Sequence, residues 1–496
     1  MNGAGRAESC LTEILVSCCV AGRRVGGLSS SLSVSRNDSD TGARVFTEPC
    51  SLYLWVDRNP PVRVPFARSR PLVRRVEERR VLDDGSARFV TGVGAFFATM
   101  YFIQGIGDPT SGLITQPIRA LLKSWGESPS TMGSFMALLS IPWMVKPAFG
   151  ILSDFLPIMG SHRRNYLLLS SAAAAIGSFV LFASPLPTGA RGLLLFWLLL
   201  PTVGIAFGDV LVDALMVEVG QPRGLTGRLQ SIQWTAVSAA LVVSGAAGGY
   251  VSTVGRSDVA FLACGVIWLV SFALAYRFAL ETPRPLGTET FAATARGLRD
   301  ALSVPGMRVV IGILFLWSFN PSWTTVQYLH VTDTLGLSEQ VYGNSNSVFW
   351  AGCIVASLGY GIYCRRVSMG ALVHLAIATG VVGYGVYVQL STTAELYAVS
   401  FVSGVANMTG ILIQLDIAAR LVPIRVAATC FAVLMAITNI ASSCSDWLGA
   451  DAYEWLGQRI GAADAYRAIV ASSALFAASC WLLVPRLRRE VPAWWG

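Results

Sequence analysis

Lysine is almost missing from this chain: Lys123 and Lys146 are the only two in 496 residues. Histidine is nearly as scarce, with His162, His330 and His374. Charged residues make up 13% of the sequence, against about 25% in an ordinary soluble domain. A long soluble chain needs charge to cover its surface, whereas a chain facing lipid does not. The length therefore does not count soluble domains. The ten cysteines form no metal-ligand pattern. Cys264, Cys353, Cys430, Cys444 and Cys480 fall inside apolar runs and read as small buried side chains. With no nucleophile–base pair and no metal spacing, an enzyme is disfavoured and no cofactor or metal is implied. A net charge of +8 could suggest nucleic acid. The arginines are instead scattered in short clusters between apolar runs, which leaves no basic domain.

What is present is apolar sequence, 53% of the chain, with a mean hydropathy of +0.56. Residues 1–86 are rich in Ser, Arg and Gly, lack sustained periodicity, and read as a disordered or targeting extension. After Arg88 the texture changes. Spans are expected near 89–107, 131–152, 166–184, 193–218, 229–253, 258–280, 308–330, 341–363, 369–390, 395–419, 427–449 and 465–484. Most approach the roughly 20 residues that cross a bilayer. The fold class is thus an all-α membrane protein of about twelve helices. It divides into a six-helix half at 87–280, a central loop at 281–307, a second six-helix half at 308–485, and a tail at 486–496. Arg163-Arg164, Arg223, Arg228, the central loop, Arg365-Arg366 and Arg486 to Arg489 fall at one end. Asp108, Glu127, Asp333, Glu339, Glu395, Asp451 and Glu454 fall in the opposite loops. The positive-inside rule then puts both termini in the cytoplasm. A weak repeat pairs Phe149-Gly150-Ile151 with Tyr360-Gly361-Ile362, and Gly204 and Pro222 with Gly404 and Pro423. Such a duplication is typical of secondary carriers.

Several residues within the spans carry chemistry. Lys146 is a cation in an apolar run, where insertion costs roughly 2.5–3.5 kcal/mol. It either faces a cavity or partner, or snorkels to the interface. Asp209 and Asp213 are four apart and share a helix face. Both cannot be ionised there without cost, so they form a candidate proton site, with a structural pairing to Lys146 or an arginine as the alternative. Glu218 reads as a loop-side charge. Gln230, Gln233 and Trp234, then Asn320, Asn407, Gln414 and Asn439, offer amides and a flat ring that suit a planar heteroaromatic ligand. Each could equally hold helices together. Gly150 and Asp154 sit at a helix end before Arg163-Arg164. A glycine there lets a neighbouring helix approach, and the aspartate can meet an arginine.

The stretch from Gly150 to Arg164 resembles the loop motif of the major facilitator superfamily. That resemblance implies that Gly150, Asp154, Arg163 and Arg164 gate the cytoplasmic side. Tyr101-Phe-Ile-Gln-Gly105, Pro142-Trp-Met-Val-Lys-Pro147, and Asp209-Val-Leu-Val-Asp213-Ala-Leu-Met-Val-Glu218 together resemble the folate–biopterin transporter family. So do Pro423, Ala428-Thr429 and Phe431. The likeness runs from about residue 88 to the end. It implies a major-facilitator fold and proton-coupled movement of folates or pteridines, with Trp143 and Lys146 joining the substrate or coupling residues. Ala427 stands where the family usually has Glu, Arg425 where Gly is common, and His162 interrupts the usual basic run. A carrier of another organic solute, or a membrane sensor without transport, are the alternatives. The plasma membrane is the expected location, with a plastid or other organelle membrane as the other choice.

Overall fold

The computed structural model describes residues 91–161, 163–184, 186–220, 226–279, 296, 299–300, 302–363, 366–421 and 427–495. Gly94–Gly496 belong to one compact unit, and the account below concerns that unit. The extension read at 1–86, most of the central loop read at 281–307, His162 and Arg425 lie outside the described residues.

Twelve helical segments follow one another among the described residues. The first is 91–107, continued after a turn by Thr115–Ser124. The second has three pieces: Pro129–Leu139, Ile141–Met144 and Lys146–Phe155. Arg164–Ala183, Arg191–Gly220, Thr226–Thr253 and Ser257–Phe278 complete the first half. The seventh runs as Pro305–Ser318, a turn, then Thr325–Leu329 and His330–Thr334. Glu339–Tyr363, Met369–Gly385, Thr393–Leu421, Ala427–Ile460 and Ala462–Ser479 complete the second half. The tail read at 486–496 continues as a helix, Val484–Glu490, with Leu487 buried. Trp495 sits against Gly370.

Burial is the reverse of a soluble helix bundle. Leu169, Ile176, Phe196, Leu269 and Leu475 are exposed, while Ser170, Ser171, Ser178 and Thr202 are buried. Buried hydroxyls need acceptors, and Ser178 and Thr202 donate to the carbonyls four residues back, at 2.9 and 2.8 Å. An apolar exterior over a partly polar interior is what a lipid solvent demands. Seven described helices are long and apolar enough to cross a membrane. The remaining segments are the first, second, seventh, eighth and eleventh, which are interrupted or carry polar residues.

Proline explains the interruptions. Pro109, Pro147 and Pro321 each lack an N–H and clash with the preceding turn. The first span does not end at 107, as read from sequence; it turns at 108–114 and resumes as Thr115–Ser124. Asp108 is therefore part of a buried break and not of an outer loop. The turn needs glycine at 112, where a Cβ would stand 2.4 Å from the Ile106 carbonyl oxygen. The matching break in the seventh segment holds Thr324 at φ +55°, a left-handed conformation costly for threonine.

Small residues set the closest helix contacts. A Cβ on Gly404 would lie 2.0 Å from the Phe349 carbonyl oxygen, and one on Gly204 2.6 Å from that of Ser170. These repeat-related glycines therefore face non-equivalent neighbours, the eighth and the third segments. At Gly150 a Cβ would meet only Val210, at 3.7 Å, so the expected close approach of a neighbour there is not found. Gly404→Ala should cost about 1–3 kcal/mol through overpacking. Gly150→Ala should cost almost nothing. Thermal unfolding of the purified protein in detergent measures both, and equal midpoints for the two variants would contradict this packing.

Candidate functional site

Lys146 begins the helix that follows the second break. Its ammonium forms an ion pair with Asp209 and stands 4.6 Å from the centre of the Trp143 ring. Both ion-pair side chains are largely buried, each 16% exposed. Among its two sequence readings, Lys146 thus has a buried partner and does not snorkel. Asp213, one turn from Asp209, accepts hydrogen bonds from Tyr101 Oη at 2.5 Å and Gln233 Nε2 at 3.0 Å. One carboxylate is held by a cation and the other by neutral donors. Asp108 lies within electrostatic range of the same ammonium.

The broken first and seventh segments face each other across the middle. Asp108 stabilises the first break, accepting from the Thr110 N–H at 2.9 Å, Thr110 Oγ1 at 2.8 Å and Ser111 Oγ at 2.6 Å. This is an Asx turn, in which a short carboxylate replaces lost backbone partners. At the break in the seventh segment Ser322 Oγ donates to Asn320 Oδ1 at 2.8 Å. Asp446, from the eleventh segment, accepts from the Thr325 N–H and hydroxyl, both at 3.2 Å, and from the Thr324 hydroxyl. A cavity of about 210 Å³ lies between the breaks. Its walls include Thr110, Arg119, Ser244, Trp323, Asn346 and Asn407.

The other residues singled out from sequence are dispersed around these features. Pro147 cannot donate to the Trp143 carbonyl, and Asn439 Nδ2 does so instead at 3.0 Å. Trp234 packs with Trp323 and Trp350 on the cluster of Phe349, Cys353 and Met408. Gln414 is buried, and its Nε2 has no hydrogen-bond partner among the described residues. The Gln230 side chain lies outside the described residues. Sequence reasoning missed four residues: Tyr101 as the partner of Asp213, Asp108, Arg119 and Asp446. Two signals pointed to some of them. Tyr101, Gln104 and Asp108 recur on one helix face. The Asp108-Pro109-Thr110 and Asn320-Pro321-Ser322 runs match in both halves.

At the arginine-rich end, Arg163 is buried and bonds to Asp154 at 2.5 Å, Ser153 Oγ at 2.5 Å and Glu218 at 3.2 Å. Glu218 is not the loop-side charge read from sequence, since its side chain is 8% exposed and faces Arg163. Arg164 donates to the Tyr276 carbonyl at 2.6 Å. All of these join parts of the first half. At the opposite end the bonds cross between halves. Gln116 Nε2 donates to Glu339 Oε2 at 2.8 Å, Ser130 N–H to Glu454 at 2.9 Å, and Ser347 Oγ to the Val242 carbonyl at 2.6 Å. Lys123 pairs there with Asp333.

Two six-segment halves, each opening on a broken helix beside a central polar site, give this chain a fold of the major-facilitator type. Solved structures agree on the fold. The nucleoside transporter NupG superposes with a TM-score of 0.61 at 12% identity, covering 80% of this chain and 98% of that one. A D-xylose–proton symporter gives 0.57 at 16% identity, covering 78% and 96%. The chain belongs to the BT1 family, whose model matches residues 104–483. A folate-biopterin transporter from Synechocystis sp. is 26% identical over 422 residues, covering 80% of this chain and 81% of that protein. The family is one of membrane transporters and not of enzymes.

Arg163→Ala removes the guanidinium that the buried Glu218 faces and should destabilise the protein by about 3 kcal/mol or more. Asp154, half-exposed, should cost under about 1 kcal/mol as Asp154→Ala. The ranking is read from thermal midpoints, and it fails if Asp154→Ala is the more damaging change.

Proposed function

We propose that this chain carries folates or unconjugated pteridines across a membrane by alternating access, coupled to protons. The observation that carries the reading is a pair of carboxylates on one helix face, of which one contacts a lysine and the other does not. Lys146 contacts Asp209, while Asp213 is held by Tyr101 and Gln233, both able to stay neutral. A carboxyl in such a setting can exchange a proton without losing its partners, because Tyr and Gln can hydrogen-bond either form. Protonation removes a charge before the halves reorient, which lowers the cost of crossing. The name of the Synechocystis relative supports the substrate class.

The ring is bound near Asp213, Trp234 and Gln414, with Trp234 as a stacking face and the unpartnered Gln414 amide as a donor. Asn320 and Asn407 serve the central site, and Asp154, Arg163 and Arg164 close the arginine-rich end. That end faces the cytoplasm of a plasma-membrane carrier, with both termini and the 281–307 loop on the same side.

Asp213→Asn mimics the protonated state permanently. It should abolish pH-driven accumulation of pteridine in vesicles while preserving exchange, which need not return the proton. Asp209→Asn should act more weakly. Full gradient-driven accumulation by the Asp213 variant would remove this residue from the coupling. Trp234→Ala and Gln414→Ala should each lower uptake by about tenfold, or 1.4 kcal/mol, at normal surface expression. A reporter at either terminus or within 281–307 that is accessible from outside intact cells would contradict the orientation.

A further inference from the structure

Arg119 is 3% exposed in the half-helix Thr115–Ser124 and lines the central cavity. Its guanidinium makes no hydrogen bond or ion pair among the described residues, and its Nε has no acceptor. Burying an unpaired cation costs several kcal/mol, so such a group normally has a partner. Asp446 and Glu339 are the carboxylates facing this region from the eleventh and eighth segments. Both are engaged elsewhere. Asp446 holds Thr324 and Thr325, and Glu339 accepts from Gln116 and from Tyr328 Oη at 2.7 Å. The Ser244 hydroxyl, also on the cavity wall, is buried without a partner among the described residues. Trp323 and Trp350 supply aromatic wall beside it.

We infer that Arg119 is an anion subsite that receives a carboxylate of the transported molecule. A guanidinium presents a planar fork of donors that matches a carboxylate in two parallel hydrogen bonds. Ser244 can add a third donor. The flat tryptophans suit an aromatic arm leading from the ring to the acid. This inference rests on the pteridine reading and refines it. The pteridine ring is held on the Asp213 side, and the acid tail of a folate reaches the cavity between the broken helices. A pteridine without a carboxylate leaves Arg119 unused.

The test compares uptake of labelled folate, which ends in a glutamate, with uptake of biopterin, which has no carboxylate. Full-length wild type, Arg119→Gln and Arg119→Lys are measured in the same cells at matched surface expression. Arg119→Gln should reduce folate uptake at least about 30-fold and leave biopterin within about twofold. Arg119→Lys, charged but unable to form the two-pronged contact, should fall between. In detergent, p-aminobenzoylglutamate, the tail without the ring, should raise the unfolding temperature of wild type but not of Arg119→Gln. Equal loss of both substrates would make Arg119 a structural cation and overturn the subsite. So would unchanged folate uptake, a wild type that moves biopterin but no folate, or stabilisation by the tail that survives in Arg119→Gln. A wild type that moves neither substrate overturns the pteridine reading itself, and this inference with it.

Discussion

A backbone group freed inside a membrane has no water to turn to, and the site follows from that constraint. Pro109, Pro147 and Pro321 each interrupt a segment, and each interruption has to be answered by a side chain. Asp108 answers the first with its own turn. Asn439 answers the second by reaching from the eleventh segment to the Trp143 carbonyl. Asp446 answers the third by holding Thr324 and Thr325. The polar residues that secure the breaks are therefore brought to the middle of the molecule. Lys146 stands one residue before Pro147, so the same break that exposes a carbonyl also places the cation.

The charges follow a related rule. A buried ion is tolerated where a partner offsets the loss of water. Lys146 meets Asp209, and Arg163 meets Asp154 and Glu218. Asp213 departs from the pattern, because its partners are a phenol and an amide. Arg119 departs in the opposite sense, as a cation whose neighbouring carboxylates are already engaged. In the reading proposed above, Asp213 belongs to the region that takes up a proton and Arg119 to the region that takes an anion.

Much of the fold was legible because lipid selects apolar length, and the continuous segments such as Arg164–Ala183 and Ser257–Phe278 stand out on that ground. The Asp209–Asp213 spacing put both carboxylates on one helix face without any knowledge of neighbours. Thr115–Ser124 was not legible. It is buried by protein and not by lipid, so it carries Thr, Gln, Arg and Lys and reads as a loop. Arg119 and Asp108 were lost with it. Glu218 looked like a loop charge because nothing local reveals that Arg163, 55 residues earlier, folds back upon it. Gly150 suggested close packing by analogy with other helix-end glycines, yet the space beside it holds a methyl group without strain. Tertiary contacts of this kind leave no periodic trace.

For the alternating access proposed above, the bonds between the halves are what a change of state must overcome. Lys123–Asp333 is partly exposed and contributes little, as surface pairs do. Gln116–Glu339 and Ser130–Glu454 are modest hydrogen bonds that water can replace on opening. Gly245, Gly249 and Gly343 bring the fifth and eighth segments into backbone contact, with a Cβ on Gly343 lying 2.4 Å from the Gly245 carbonyl oxygen. Flat glycine surfaces pack closely but do not interlock, so they separate without dragging side chains past one another. A carrier needs its two states within a few kcal/mol of each other, since a ligand can shift the balance only by its differential affinity. Many weak bonds over a glycine seam meet that need, whereas deep interdigitation of large side chains would fix one state. The stronger buried contacts of Arg163 stay within one half, where they can move with it as a rigid body.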